Sequence, residues 1–109
     1  MFVKIYMKQL TVNDVNYYIG TNAKDNFAVL DAGQPDDIWI HASNVPSSHV
    51  IITSSNKKSI RLGATLCKQN TNKIANLKNV EFVYTFVKNV TKTSVDGRVL
   101  ITNEKIIIV

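Results

Sequence analysis

Five consecutive residues, Asp37-Ile-Trp-Ile-His41, hold the densest set of chemically useful side chains in this sequence. In an extended backbone successive side chains alternate between faces, so Asp37, Trp39 and His41 would share one face and Ile38 and Ile40 the other. The isoleucines would anchor such a strand in a core. A carboxylate, an indole and an imidazole on its other face could stack on a planar ring and hydrogen-bond a phosphate or a base edge. The opposing reading puts Trp39 in the interior and gives His41 a buried hydrogen bond. Residue types alone favour that interior reading.

A second cluster, Pro46-Ser-Ser-His49, places two hydroxyls and an imidazole where a loop enters a β-branched run, a setting suited to donors that face an anion. Other chemistries find less support. Ser, His and Asp all occur, but no Gly-x-Ser-x-Gly turn supplies the context for acyl transfer. His41, His49 and Asp37 are competent metal ligands by type, yet their spacing matches no ligand pattern, and a single cysteine, Cys67, rules out a multi-cysteine zinc site. Asp36 and Asp37 would point to opposite faces, which does not suit paired acid–base work. There is no glycine loop for phosphates, and no metal or other cofactor is expected.

The elements that must position these residues can be read from apolar periodicity. Phe2 to Leu10 alternates, with Val3, Ile5 and Met7 on one face; Asn13-Asp14 supplies a turn and Val15, Tyr17 and Ile19 alternate again, which predicts a hairpin closing at Gly20. Asn22 can cap a helix whose buried stripe would be Ala23, Phe27 and Leu30, with Gly33 and Pro35 ending it. Short strands follow over Ile38 to Ala42 and His49 to Thr53. A second helix runs from about Ser59 to Gln69, with Ile60, Ala64 and Cys67 on one face. The remainder reads as β: Val80 to Thr85, Val87 to Lys92, Arg98 to Thr102 and Lys105 to Val109, with turns at Asp96-Gly97 and Asn103-Glu104. The unbroken Ile106-Ile-Ile-Val109 run suggests a strand covered on both sides. The layout is α+β, a mostly antiparallel sheet with two helices packed on one face, in a single compact domain spanning 1–109.

A chain of 109 residues with 45% hydrophobic content has room for one core without disulfides. The lone cysteine fits a reducing compartment, so the cytoplasm is the expected location. Alternation in the first residues argues against a secretory signal, and no stretch approaches membrane-spanning length. A formal net charge of +5, nearly all from lysine, suits a polyanion partner by attraction to phosphates.

Four segments, in order and at similar separations, carry a resemblance: Ile19-Gly-Thr-Asn-Ala-Lys-Asp-Asn26, Asp36-Asp-Ile-Trp-Ile-His-Ala42, Val45-Pro-Ser-Ser-His-Val-Ile-Ile52 and Val83-Tyr-Thr-Phe-Val-Lys-Asn-Val-Thr-Lys92. Together they resemble the C-terminal RNA-binding domain of the NFACT proteins, which include ribosome-quality-control factors. The resemblance implies an α+β domain that contacts RNA. It carries Asn22, Asn26, Asp37, Trp39, His41, Ser48 and His49 over as the family's characteristic polar and aromatic positions. Lys24, Lys88 and Lys92 lie in the same neighbourhoods and are expected to reach phosphate. The chain departs from the family at Ser47, where glycine is usual, at Ile40, where an aromatic is usual, and at the hairpin around Gly97, which lacks the usual preceding proline. The other NFACT segments are not represented, so a stand-alone module without tailing activity is expected.

The function that follows is non-catalytic recognition of structured RNA, tRNA or rRNA, with DNA as a second candidate ligand and ribosome association in view. No membrane partner is expected, and the sequence leaves the oligomeric state open. Two rivals are a nucleic-acid-processing enzyme using His41 or His49 with Asp37 and a protein-interaction module using a sheet edge.

Overall fold

The computed structural model describes residues 8–109. The predicted alternation of Val3, Ile5 and Met7 lies outside the described residues. The rest of that hairpin is present: β1 (Lys8–Val12) pairs antiparallel with β2 (Val15–Gly20). Asn13 and Asp14 between them both have positive φ, the mirror-image turn whose twist matches that of the flanking strands.

After α1 (Ala23–Ala32) come β3 (Ile38–Ala42), β4 (His49–Ile52) and α2 (Lys57–Gln69). The chain finishes with β5 (Glu81–Phe86), β6 (Val90–Lys92), β7 (Val99–Ile101) and β8 (Lys105–Ile108). Six strands form one sheet in the order β1-β2-β4-β3-β5-β8, and β6 and β7 form a separate two-stranded ribbon. All the pairings are antiparallel. The α+β class, the mostly antiparallel sheet and both helices are as the sequence predicts. No helix among the described residues is long and apolar enough to cross a membrane.

The helices occupy opposite faces of the sheet, which corrects the expectation that they share one. On β3 and β4, Ile38, Ile40, Ala42, Val50 and Ile52 pack with Ile60, Ala64 and Cys67 of α2. The alternate positions Trp39 and Ile51 pack with Val29 and Leu30 of α1. Both strands are central and apolar on both sides, so each face needs its own cover. The β6–β7 ribbon completes the α1 face, where Val83, Val87, Val90, Val99 and Ile101 join Trp39 and Ile51.

Three further expectations change. The buried residues of α1 are Asp25, Asn26, Val29 and Leu30; Ala23 is exposed and Phe27 half-buried. A polar residue, Asn26, takes an interior place that apolar periodicity could not anticipate. The predicted strand Val87 to Lys92 begins as a single 3-10 turn, Val87–Asn89, because Val87 N–H donates to Asp37 O and Lys88 N–H to Pro35 O, drawing the chain off the main sheet. Finally, β8 is an edge strand covered on one side only. Ile107 and Val109 pack into the α2-side core, while Ile106 and Ile108 are 58% and 52% exposed because α1 lies over β2 and β4, away from this edge.

Candidate nucleic-acid groove

The loop between β3 and β4 is stapled to both helices, and the residues that staple it are the ones the sequence singles out. Asn22 caps α1, its Oδ1 accepting from Asp25 N at 2.9 Å. One turn later Asn26 Oδ1 accepts from His49 N at 3.0 Å, the N–H that opens β4. Gly20 makes this contact possible, since a Cβ there would stand 2.9 Å from the Asn26 backbone and collide with Oδ1. From the other face, Ser48 N donates to Thr71 Oγ1 and Ser48 Oγ to Asn70 O, both at 3.0 Å. Ser47 Oγ accepts from Ala42 N and donates to Ser48 O, so the hydroxyl at this departure from the family pattern closes the loop on itself. Beneath it, burial pushes the Cys67 thiol up to about 11, and its Sγ donates to Ser48 O.

Trp39 is 2% exposed, and its Nε1 donates to His49 Nδ1 at 3.1 Å. This corrects the base-stacking role expected for Trp39: the indole is core, and its one polar atom is satisfied within the protein. Indole nitrogen can only donate, so His49 Nδ1 is an acceptor and the ring is neutral with its proton on Nε2. Burial, with a contribution from neighbouring His41, drives the His49 pKa down to about 3. The His41 ring lies parallel to Trp39, centroids 5.8 Å apart and planes 10° apart, and meets His49 edge-on at 4.7 Å. His41 is half-buried; desolvation lowers its pKa and a backbone contact at Ala42 offsets part of the shift.

These rings border an open groove of about 980 Å³ at the end of the sheet where α1 begins. His41 and Ser43 lie in it together with the β3–β4 loop, the segment following α2 and the tip of the β6–β7 ribbon. Gly97, at φ +78°, lets that tip rest on the start of α1, where a Cβ would meet Ala23 at 3.0 Å. Lys73 and Arg98 bring positive charge to the groove, and Asp96 and Glu104 bring negative charge. Among the described residues the ion pairs are Lys88–Asp36 and Lys92–Asp31, so Lys73 and Arg98 have no acidic partner.

Of the residues singled out from the sequence, Asn22, Asn26, Trp39, His41, Ser48 and His49 gather at this groove, most of them as its framework. Four do not. Asp37 lies just before β3, where its Oδ2 accepts from Gln34 N at 2.8 Å and closes a turn. It therefore does not share the Trp39–His41 surface. Lys24 is exposed on α1 outside the groove lining. Lys88 and Lys92 are paired with Asp36 and Asp31, and their ammonium groups lie over Phe86 and Phe27. Sequence reasoning missed Ser43, Lys73 and Arg98. Only Ser43 left a signal, as the next residue on the parity of Trp39 and His41.

The NFACT protein RNA-binding domain family matches residues 1–106. The chain belongs to that family. Coiled-coil domain-containing protein 25 of Mus musculus is 29% identical over 99 residues, and that of Bos taurus 30%; each alignment covers 82% of this chain and 48% of the relative. The chain thus spans about half the length of the curated relatives it matches. The C-terminal part of the fibronectin/fibrinogen-binding protein of Streptococcus suis superposes with a TM-score of 0.86 at 20% identity, over 99% of this chain and 46% of that one. At that identity the likeness is one of fold. As an NFACT RNA-binding domain, the chain has an RNA-binding role.

Proposed function

We propose that this NFACT domain is a non-catalytic module that binds structured RNA, tRNA or rRNA, in the cytoplasm and in the setting of translation or ribosome quality control. The observation that carries the reading is the groove: polar residues line it, and beside them stand Lys73 and Arg98, which among the described residues form no ion pair. Unpaired cations contact phosphate without first giving up a partner, and the neutral imidazole and hydroxyls of the lining suit recognition of nucleotides. Asn22, Asn26, Trp39, Ser48 and His49 hold that surface in shape, and His41 is the imidazole placed to meet the ligand. Lys24 adds positive charge outside the groove, whereas Lys88 and Lys92 are neutralised by Asp36 and Asp31.

Binding fits these residues better than hydrolysis. Acid–base cleavage by His41 and His49 would need both imidazoles free to exchange protons, whereas His49 Nδ1 is occupied by Trp39 and Asp37 is engaged elsewhere.

Fluorescence anisotropy with labelled tRNA and with rRNA fragments, stepped through salt, tests the reading. Micromolar or tighter binding that weakens steeply with salt is expected. If neither RNA binds at low salt and micromolar protein, the proposal falls. Cosedimentation with ribosomes then tests the translational setting.

A further inference from the structure

Trp39, His41 and Ser43 follow one another on a single side of β3 and its exit. Trp39 is core, whereas His41 and Ser43, the latter where the strand gives way to the loop, are both half-buried. Among the described residues, Ser43 Oγ is the one buried side-chain polar atom with no hydrogen-bond partner. A buried hydroxyl left unpaired is costly, and native structures rarely keep one without a use. Ser43 and His41 both belong to the lining of the groove.

The distribution of charge adds a second constraint. Lys73 and Arg98 line the groove together with Asp96 and Glu104. A duplex presents two rows of phosphates and needs a broad positive surface, whereas a lining of mixed sign favours one phosphate row on its basic side and repels a second. The lining also holds residues with neutral donors and acceptors, His41, Ser43 and the exposed Asn72. Such groups match a base edge better than a phosphate. A volume of about 980 Å³ lies within the range of sites that enclose small organic ligands, so a nucleotide fits.

Resting on the RNA-binding reading, we infer that the groove receives an unpaired nucleotide of RNA, its base turned inward against His41 and Ser43 and its flanking phosphates on Lys73 and Arg98. Structured RNA would then be engaged at a loop, bulge or end, where a base is free to leave the stack, and not along a continuous helix. Trp39 and His49 are positioning residues: the hydrogen bond between them fixes the ring against which His41 is set.

The test uses the 109-residue chain and three labelled RNAs at one salt concentration. These are an unstructured ten-nucleotide strand, the same strand with abasic sites at its central positions, and a blunt duplex of equal length. The intact strand is expected to bind about tenfold or more tightly than both the abasic strand and the duplex. Ser43→Val and His41→Leu should each shrink the preference for intact over abasic strand, with a thermal melt confirming the fold. A duplex that binds as well as the intact strand, or an abasic strand that binds equally, overturns the inference. If the duplex binds and the strand does not, this inference fails while the RNA-binding reading stands; if no RNA binds in any form, both fail. Should His41→Leu not fold, the three RNAs on the unaltered protein decide.

Discussion

Trp39 Nε1 donates to His49 Nδ1 across the two central strands, at 3.1 Å and out of contact with solvent. This bond fixes the His49 tautomer and removes the indole from the binding surface. It also makes a histidine depend on a tryptophan for its only donor at that nitrogen, and the consequences can be measured.

The first concerns pH. His49 has a folded pKa near 3, below its ordinary value of 6.5, so the folded state resists a proton that the unfolded chain accepts. The unfolded state therefore binds more protons between these values. Stability is complete above about pH 6.5 and declines as pH falls toward about 3, by on the order of 5 kcal/mol at most from this group. Urea midpoints between pH 7 and pH 4 should show the decline, and a folded His49→Gln variant should show a shallower one. A flat profile in the parent protein would contradict the buried neutral imidazole.

Trp39→Phe keeps most of the apolar contact and deletes the donor. His49 Nδ1 is then buried without a partner, at a cost of about 1–3 kcal/mol. Because the indole is sealed, RNA should not quench the fluorescence of Trp39 by stacking, and the affinity that a folded Trp39→Phe variant loses should reflect the loosened setting of His49 and His41 and not a lost stack. Strong stacking-type quenching by RNA would mean that the indole reaches the ligand.

Gly20 and Asn26 should behave as a coupled pair. Asn26→Ala strands the buried His49 N–H and costs about 1–3 kcal/mol. Gly20→Ala forces a methyl into Asn26 and costs a similar amount by overpacking. In the Asn26→Ala background the collision with Oδ1 is gone, so the double variant should be less destabilised than the sum of the singles. Denaturation of the four proteins checks this, and strict additivity would argue against the contact.

The basic side chains should fall into two groups. Lys73→Gln and Arg98→Gln each remove an unpaired groove cation and should each lower the slope of log affinity against log salt by about one. Lys88→Gln and Lys92→Gln break exposed ion pairs, change stability by less than about 1 kcal/mol and should alter the slope less. Anisotropy titrations across a salt series separate the groups; equal effects at all four positions would point to binding without a focus.

Much of the fold was legible because hydrophobic periodicity is strong here. Both helices, the first hairpin from Lys8 onward, the caps at Asn22 and the helical face of Ile60, Ala64 and Cys67 stand where the pattern puts them. Placing the helices on opposite faces required reading Trp39 and Ile51 as apolar partners of α1, and the mixture of Trp39 with His41 and His49 obscured a second core. Ile106 and Ile108 looked interior because composition cannot show where a neighbouring helix ends. The motif residues were legible as a set but not in their tasks. Asn22, Asn26, Ser48 and His49 are polar and could be mistaken for ligand contacts, yet the Oδ1 atoms of Asn22 and Asn26, the N–H and hydroxyl of Ser48 and the N–H and Nδ1 of His49 are spent within the protein. Lys73 and Arg98 reach the groove through long-range folding, and local spacing carries no trace of that.

Strand parity on β3 divides two tasks between adjacent residues, with Ile38 and Ile40 facing α2 and Trp39 and His41 facing α1. A slip of a single position in its pairing with β4 or β5 would carry the indole and imidazole into the aliphatic layer and strand the isoleucines at the groove. Misregistered chains would therefore lose their core and their binding surface in the same event, leaving few molecules that are folded but unable to bind.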